Sequence, residues 1–404
     1  MTTFLEIPIE RACSRIIDYR GKTPPKTSSG VRLITAKVIK DGRILDEPAE
    51  HIADDFYEAW MRRGLPQQWD VLITTEAPLG EVAILRTRDK VALAQRVILL
   101  RADPAVVEHR YFFYALRSAT VQARLAARAT GTTVLGIKQS ELRQVLLPIP
   151  GHSAQRRIAS ILSAYDDLIE VNRRRIAVLE EMARRLFEEW FVHFRFPGHG
   201  QGTPLPSGNV EELIDFDPAT QLPRSGEKPF IPMTLLSTNS SLIDSYEWRE
   251  AGSGAKFRNG DTLFARITPC LENGKTGLVR GLPGDGVGFG STEFIVMRGR
   301  RAGPAFTYLL ARYEAFRFHA RKSMSGATGR QRARTESVKT FSFVNPSKQI
   351  LDSFDALAWP MLELVGKLGE ANKRLAASRD LLLPRLISGD LSVSAAEREL
   401  EAVA

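Results

Sequence analysis

Two triplets, Gly21-Lys22-Thr23 and Gly274-Lys275-Thr276, are the first residues whose types and order could do chemistry. Such a triplet ends a phosphate-binding loop, which needs a glycine five positions before its second glycine so that backbone N–H groups can wrap the phosphate. That position is Ile16 in one case and Pro269 in the other, so neither triplet can form the loop. The run Gly284-Asp-Gly-Val-Gly-Phe-Gly290 has the glycine density of a dinucleotide loop, but no clear strand pattern precedes it and no helix follows. It reads as a flexible loop. None of the 14 lysines has Asp or Glu two positions before it, so the acidic-x-Lys core of many magnesium nucleases is absent. The 6 histidines form no His-x-x-x-His or His-Glu-x-x-His pattern, and His193 and His199 read as packing or surface residues. No Asn/Asp-Pro-Pro-aromatic tetrapeptide, which amino-type adenine methyltransferases use to hold a flipped base, occurs. The sequence offers no catalytic constellation and no metal site.

What remains is polar, arginine-rich and placed in loops. The 56 basic residues comprise 42 Arg and 14 Lys against 47 acids, a formal net charge of +9. Arg forks to phosphate oxygens and guanine edges, whereas Lys acts as a point charge. A GC-rich genome would also favour Arg, so distribution matters more than the total. In the first half the candidate surface holds Arg20, Lys22 and Lys26, extended by Thr74, Thr75, Thr132, Thr133 and Lys138. In the second half residues 312 to 339 carry eight bases against two acids (Glu314 and Glu336). Arg330, Gln331 and Arg332 follow a glycine there, with Arg334 beyond. Arg can pair with guanine O6 and N7, and Gln with adenine N6 and N7. Arg258, Arg266 and Lys275 extend this second set. Each residue alone could be a solvated loop charge; two clusters at equivalent places in a repeat favour double-stranded DNA.

The elements that must position these loops repeat with a period near 200 residues. Each half opens on Ile-Asp-aromatic (Ile17-Asp18-Tyr19, Ile214-Asp215-Phe216). Next comes a strand-like run (Val31–Ile34, Phe230–Met233), then Asp before alternating apolar residues (Trp69-Asp70-Val71, Gly260-Asp261-Thr262) and a second strand. A helical stretch follows (110 to 128, 305 to 321), then a polar loop and a strand ending at Pro148 or Pro346. After each proline a long helical pattern begins. Ile158, Ile161, Tyr165, Leu168, Asn172, Ile176, Leu179, Met182, Leu186 and Trp190 recur three and four apart. Leu351, Phe354, Leu357, Met361, Leu364, Leu368, Asn372, Leu375 and Leu382 do nearly the same. Sustained heptads argue for coiled-coil packing, and each helix should run ~35 residues or ~50 Å. Pro360 should kink the second helix or mark its start. Asn172 and Asn372 each either fix register across the seam or point to solvent at its edge.

The fold expected is α+β with a pseudo-twofold internal repeat. Two α/β domains (1–150 and 197–346) are joined by helices (151–196 and 347–390) that pair as an antiparallel coiled coil, with a tail at 391–404. The turn-rich run Pro197–Gly208 reads as the linker into the second domain. A chain of 404 residues exceeds one ordinary core, and 43% hydrophobic residues exclude wholesale disorder. No apolar stretch approaches ~18 residues, so no transmembrane helix is expected. The N-terminal residues lack the pattern of a signal peptide. Cys13 and Cys270 form no Cys-x-x-Cys, which points to a reducing cytoplasm.

At full length the chain resembles the specificity subunit of type I restriction-modification enzymes. The stretches Ser153–Asn172 and Leu179–Phe191 are similar to that family's central conserved region, and Asp380–Leu391 to its distal one. Thr130-Gly-Thr-Thr with Ile137-Lys138 looks like the end of a target-recognition domain, and Gly260–Arg266 like its middle strand. The chain departs from the pattern at Gly326-Ala-Thr-Gly-Arg-Gln331, which leaves the two domains' targets unrelated. The resemblance implies a non-catalytic subunit whose two target-recognition domains each read half of a bipartite, asymmetric DNA site. The helices would set the spacer and dock two methyltransferase subunits. No cofactor is expected on this chain; S-adenosylmethionine, ATP and magnesium belong to the methyltransferase and motor-nuclease partners. No membrane partner is implied. The alternatives are a scaffold for a solitary adenine methylase or another phage-defence complex, and a stand-alone methylase or nuclease.

Overall fold

The central strands explain themselves by their burial on both faces. Val97–Ala102 is apolar for four consecutive residues, with Ile98 and Leu100 in one core cluster and Val97 and Leu99 in another. Alternate side chains leave opposite faces of a strand, so an unbroken apolar run means that both faces are covered. At roughly 1.5–3 kcal/mol for each fully buried aliphatic side chain, such strands are the main stabilising elements of the fold. The computed structural model describes residues 4–19, 23–198, 205–250, 252–326 and 331–401, without the side chains of 399–401.

The chain divides into two compact units, Met1–Leu168 with Leu375–Ala404, and Ile169–Arg374. In the first unit Val97–Ala102 lies between Cys13–Asp18 and Val71–Thr75, and Leu79–Ile84 forms the far edge, all antiparallel. A smaller sheet packs across it, with Val31–Ile34 antiparallel to His51–Ile52 and parallel to Val91–Leu93. The second unit repeats the main sheet in the same order: Ile214–Phe216, Phe294–Gly299, Thr262–Ala265, Thr276–Leu278. There too alternate residues divide between clusters, Ile295 and Met297 in one, Phe294 and Val296 in the other. The fold class is therefore α+β with long helices and an internal repeat.

Several expectations change. Gly284–Gly290 is not wholly loop: Val287–Gly290 is a strand, parallel to Glu227–Ile231 and antiparallel to Ala255–Arg258. A Cβ on Gly290 would stand 2.5 Å from the carbonyl oxygen of Ile231, so glycine permits the close approach that its composition had suggested as flexibility. The stretches 110 to 128 and 305 to 321 are each two helices. His109–Arg117 ends at Ser118, whose extended backbone and side chain cap Ala119–Ala127. Pro304–Arg312 ends at extended Tyr313, before Glu314–Lys322.

The long helices span His152–Phe191, 40 residues, and Lys348–Ser388, 41 residues. Pro360 does not mark the start of the second, which runs continuously through it. The buried stripe is also displaced. Leu168 is 47% exposed and Met182 48%, whereas Leu162, Ile169, Ala183 and Phe187 are buried. The sequence holds apolar pairs at 161/162, 168/169 and 186/187. A strict 3.5-residue repeat and a helix of 3.6 residues per turn select different members of them. Leu357 is likewise 50% exposed beside buried Ala358. Ile161, Leu368 and Asn172 are buried, while Leu179, Leu186, Leu364, Asn372 and Leu375 are half-buried. Within the second unit the helices pair antiparallel, with Asn172 meeting Asn372 and Phe187 meeting Phe354.

Candidate nucleic-acid interface

In the first unit the loop after the helix pair is closed on itself. Thr130 N–H donates to Gly136 O at 2.8 Å, and Gly136 N–H returns the bond to Thr130 O at 2.9 Å. Ile137 N–H then donates to Thr75 O at 3.0 Å, which ties the loop to the end of strand Val71–Thr75. Thr132, Thr133 and Lys138 are exposed there. An ion pair of 2.6 Å between Arg96 and Glu76 stands beside them, and an open cleft of about 300 Å³ lies between it and the loop.

The second unit builds the same device. Ser325 and Arg332 exchange backbone hydrogen bonds of 3.1 and 3.0 Å, and Ala333 N–H donates to Arg266 O at 2.8 Å. The bond from Thr75 N–H to Arg96 O, 2.9 Å, has its counterpart from Arg266 N–H to Glu293 O, 3.0 Å. The backbone is thus repeated while the chemistry is exchanged. Where the first unit pairs Arg96 with Glu76, the second pairs Arg332 with Glu293 through a two-pronged contact, with Nη2 at 2.7 Å.

The predicted site residues divide accordingly. Thr132, Thr133 and Lys138 share one loop, and Gln331, Arg332 and Arg334 share the other. Arg334 is exposed and donates to Ser325 Oγ at 3.0 Å. Arg20, Lys22 and Arg330 lie outside the described residues. Lys26 is exposed and pairs with Glu50 at 2.7 Å. Thr74 and Thr75 are 0% and 3% exposed inside a strand, so they belong to the loop's foundation rather than to its surface. Thr74 Oγ1 accepts the N–H of Glu81 at 3.0 Å. Lys275 donates to Met233 O at 2.9 Å, and half-buried Arg266 anchors the loop through its backbone. Arg258 is exposed but precedes strand Thr262–Ala265, at the end away from Arg266.

Among the described residues of the run 312 to 339, Arg312, Arg317, Arg321 and Lys339 fold back onto the protein. Arg312 donates to Gly274 O at 2.8 Å and Thr238 O at 2.9 Å, and Arg317, 6% exposed, donates to Leu271 O. Burial pushes the Arg317 guanidinium down to about 10, with Arg312 adding to the shift. Arg321 pairs with Glu314, and Lys339 with Glu336 and Glu211. Charge counted along a sequence cannot distinguish a donor that reaches out from one that folds back to a carbonyl.

Two buried pairs found no place in the sequence reading. Arg101 grips Asp70 with two bonds of 2.8 Å, and Arg298 grips Asp261 with bonds of 2.8 and 2.7 Å. Each carboxylate also accepts a backbone N–H, from Gln67 at 2.6 Å and from Arg258 at 2.8 Å. The hydrogen bonds to Asp70 and to Asp261 raise the pKa of their arginines. The signal was present in both repeats as Asp opening one strand and Arg closing the apolar run of its neighbour. Arg249 over the Phe230 ring at 3.9 Å, beside exposed Trp248, carried no such signal. No group of three or more metal-ligating side chains, and no helix long and apolar enough to cross a membrane, occurs among the described residues.

An α+β chain with one sheet and one tethered loop built twice and two long helices has a solved counterpart. It is similar to the specificity subunit of a type I restriction-modification system from Mycoplasma genitalium, with a TM-score of 0.59 and 14% identity over 95% of this chain and 96% of that one. Residues 64–181 match the family described as type I restriction modification DNA specificity domain. It is 35% identical over 124 residues to the MjaIX specificity subunit of Methanocaldococcus jannaschii, covering 31% of this chain and 28% of that protein. Against the HindI specificity subunit of Haemophilus influenzae it is 22% identical over 378 residues, covering 75% and 82%. The matched segment spans less than a third of the MjaIX subunit, and 19% of the Escherichia coli EcoAI specificity subunit.

Proposed function

We propose that this chain is the DNA-reading subunit of a type I restriction-modification complex, with each unit reading one half of a bipartite, asymmetric site. The observation that carries this is the loop closed on the end of a central strand, built twice with one backbone and two sets of side chains. A repeated scaffold with unlike tips suits one duplex read at two unrelated sequences. Exposed Thr132, Thr133 and Lys138 supply the polar contacts of one tip, and Gln331, Arg332 and Arg334 those of the other. The long helices set the spacer between half-sites. Their exposed apolar residues, Leu168, Val171, Val178 and Met182 on the first and Leu357 and Leu381 on the second, dock two methyltransferase subunits.

The chain itself performs no chemistry in this reading. S-adenosylmethionine for adenine methylation is held by the methyltransferase subunits, and ATP and magnesium by the motor-nuclease subunits, in the cytoplasm. The test is methylation of duplex DNA by this chain alone, by its methyltransferase alone and by the two together. Only the mixture should methylate, at one bipartite site; methylation by this chain alone would refute the proposal.

A further inference from the structure

The tip of the first unit's loop is apolar, although the exposed Thr132, Thr133 and Lys138 that flank it are polar. Val134 is 52% exposed and Leu135 54%, adjacent residues between Thr132-Thr133 and Lys138. They are not on a floppy segment. The hydrogen-bonded pair Thr130 and Gly136 closes the loop, and Ile137 anchors it to Thr75. Gly131 adopts φ +122°, and a Cβ there would stand 2.2 Å from the carbonyl oxygen of Val134, so the backbone that presents these side chains needs glycine at that place. Two branched aliphatic side chains held out to water by a fixed backbone leave apolar area unburied, at a cost of about 25 cal/mol for each Å².

We propose that Val134 and Leu135 form a hydrophobic reader of the thymine 5-methyl group in the DNA major groove. This rests on the reading of the loop as a DNA-recognition element and names what it recognises. In the major groove the methyl of thymine is the one apolar feature on a base edge, and aliphatic side chains distinguish it by contact. Exposed Lys138 at the base of the loop supplies the positive charge that brings a phosphate backbone close. The corresponding stretch of the second half, Gly326-Ala-Thr-Gly-Arg-Gln331, holds no Val or Leu in its sequence. The first half-site should then contain at least one T·A pair read by its methyl.

The probe is deoxyuridine, which lacks that methyl and pairs identically. The chain, purified with its methyltransferase subunit, is competed against duplexes in which each thymine of the recognised site is replaced singly by uracil. One replacement should weaken binding about 4-fold, the equivalent of about 0.8 kcal/mol for one buried methyl-sized group. In the Val134→Ser/Leu135→Ser variant that discrimination should vanish, so that thymine and uracil duplexes bind alike. Four results overturn the proposal: a site without thymine in the first half, indifference of the wild type to uracil, unchanged discrimination in the variant, or a loss in the variant that is equal for thymine and uracil duplexes. A variant that no longer co-purifies with the methyltransferase would instead make the tip a protein contact. A wild-type complex with no sequence preference would fail the DNA reading itself.

Discussion

Asn172 donates through Nδ2 to Oδ1 of Asn372 at 3.0 Å, across 200 residues of sequence. The separation is close to the period of the internal repeat, so the bond joins the two long helices of that repeat. Asn172 is 4% exposed, in the same stripe as buried Ile169 and Ile176. A carboxamide buried at a helix seam is satisfied only in the register that brings its partner opposite.

This gives a first expectation. Asn172→Leu leaves the Asn372 carboxamide without its partner and should cost ~1–3 kcal/mol in urea denaturation. Replacing both by Leu should recover most of that loss, because neither polar group is then stranded. If the double variant loses as much as the two single variants together, the pair is not a register device.

The buried ion pairs give a second. Asp70→Ala and Asp261→Ala each strand an arginine whose side chain is only 20% and 14% exposed. Each should cost about 2–4 kcal/mol, measured by chemical denaturation, and Asp70→Leu/Arg101→Met should cost less than Asp70→Ala. Equal losses from the single and paired changes would deny the coupling.

A third concerns pH. Asp355 accepts from Phe306 N–H at 3.0 Å in the first turn of helix Pro304–Arg312, and desolvation raises its pKa from 3.8 to about 6. The folded state holds the proton more tightly than the unfolded chain. Stability from this group is therefore complete below about pH 4 and lost as pH rises through about 6. Asp355→Asn should flatten that slope and raise stability at pH 8 by ~1–3 kcal/mol. Thermal melts across this range would check it, and parallel curves for the two proteins would count against it.

The sequence made the repeat, the long helices and the paired asparagines legible because each is local or periodic. The partners of arginines were not legible. Arg312 and Arg317 reach carbonyls 38 and 46 residues away, and no spacing encodes that. Arg332, a candidate base reader, also meets Glu293, 39 residues distant. The strand at Val287–Gly290 is hidden because two of its four residues, and Gly284 and Gly286 just before it, are the glycines that usually mark loops. Thr74 and Thr75 were mistaken for surface because β-branched polar residues suit a buried strand as well as a loop.

A fourth expectation tests the helices as a ruler. Four residues inserted into each long helix near Asn172 and Asn372 preserve the seam and add about one turn, ~6 Å. The spacer between half-sites should lengthen by roughly two base pairs, at ~3.4 Å each, with both half-sites unchanged. An unchanged spacer with full activity would refute the ruler.

The most direct measurement is methylome sequencing of cells expressing this chain with its methyltransferase, compared with cells expressing Arg330→Ala, Gln331→Ala or Arg332→Ala. The wild type should methylate adenine at one bipartite, asymmetric sequence. A variant that loses a base contact should relax one base pair in one half-site, a change of ~1–3 kcal/mol in discrimination, and leave the other half untouched. Methylation confined to a single continuous sequence, or variants that alter both halves together, would contradict the account of two independent readers on one repeated scaffold.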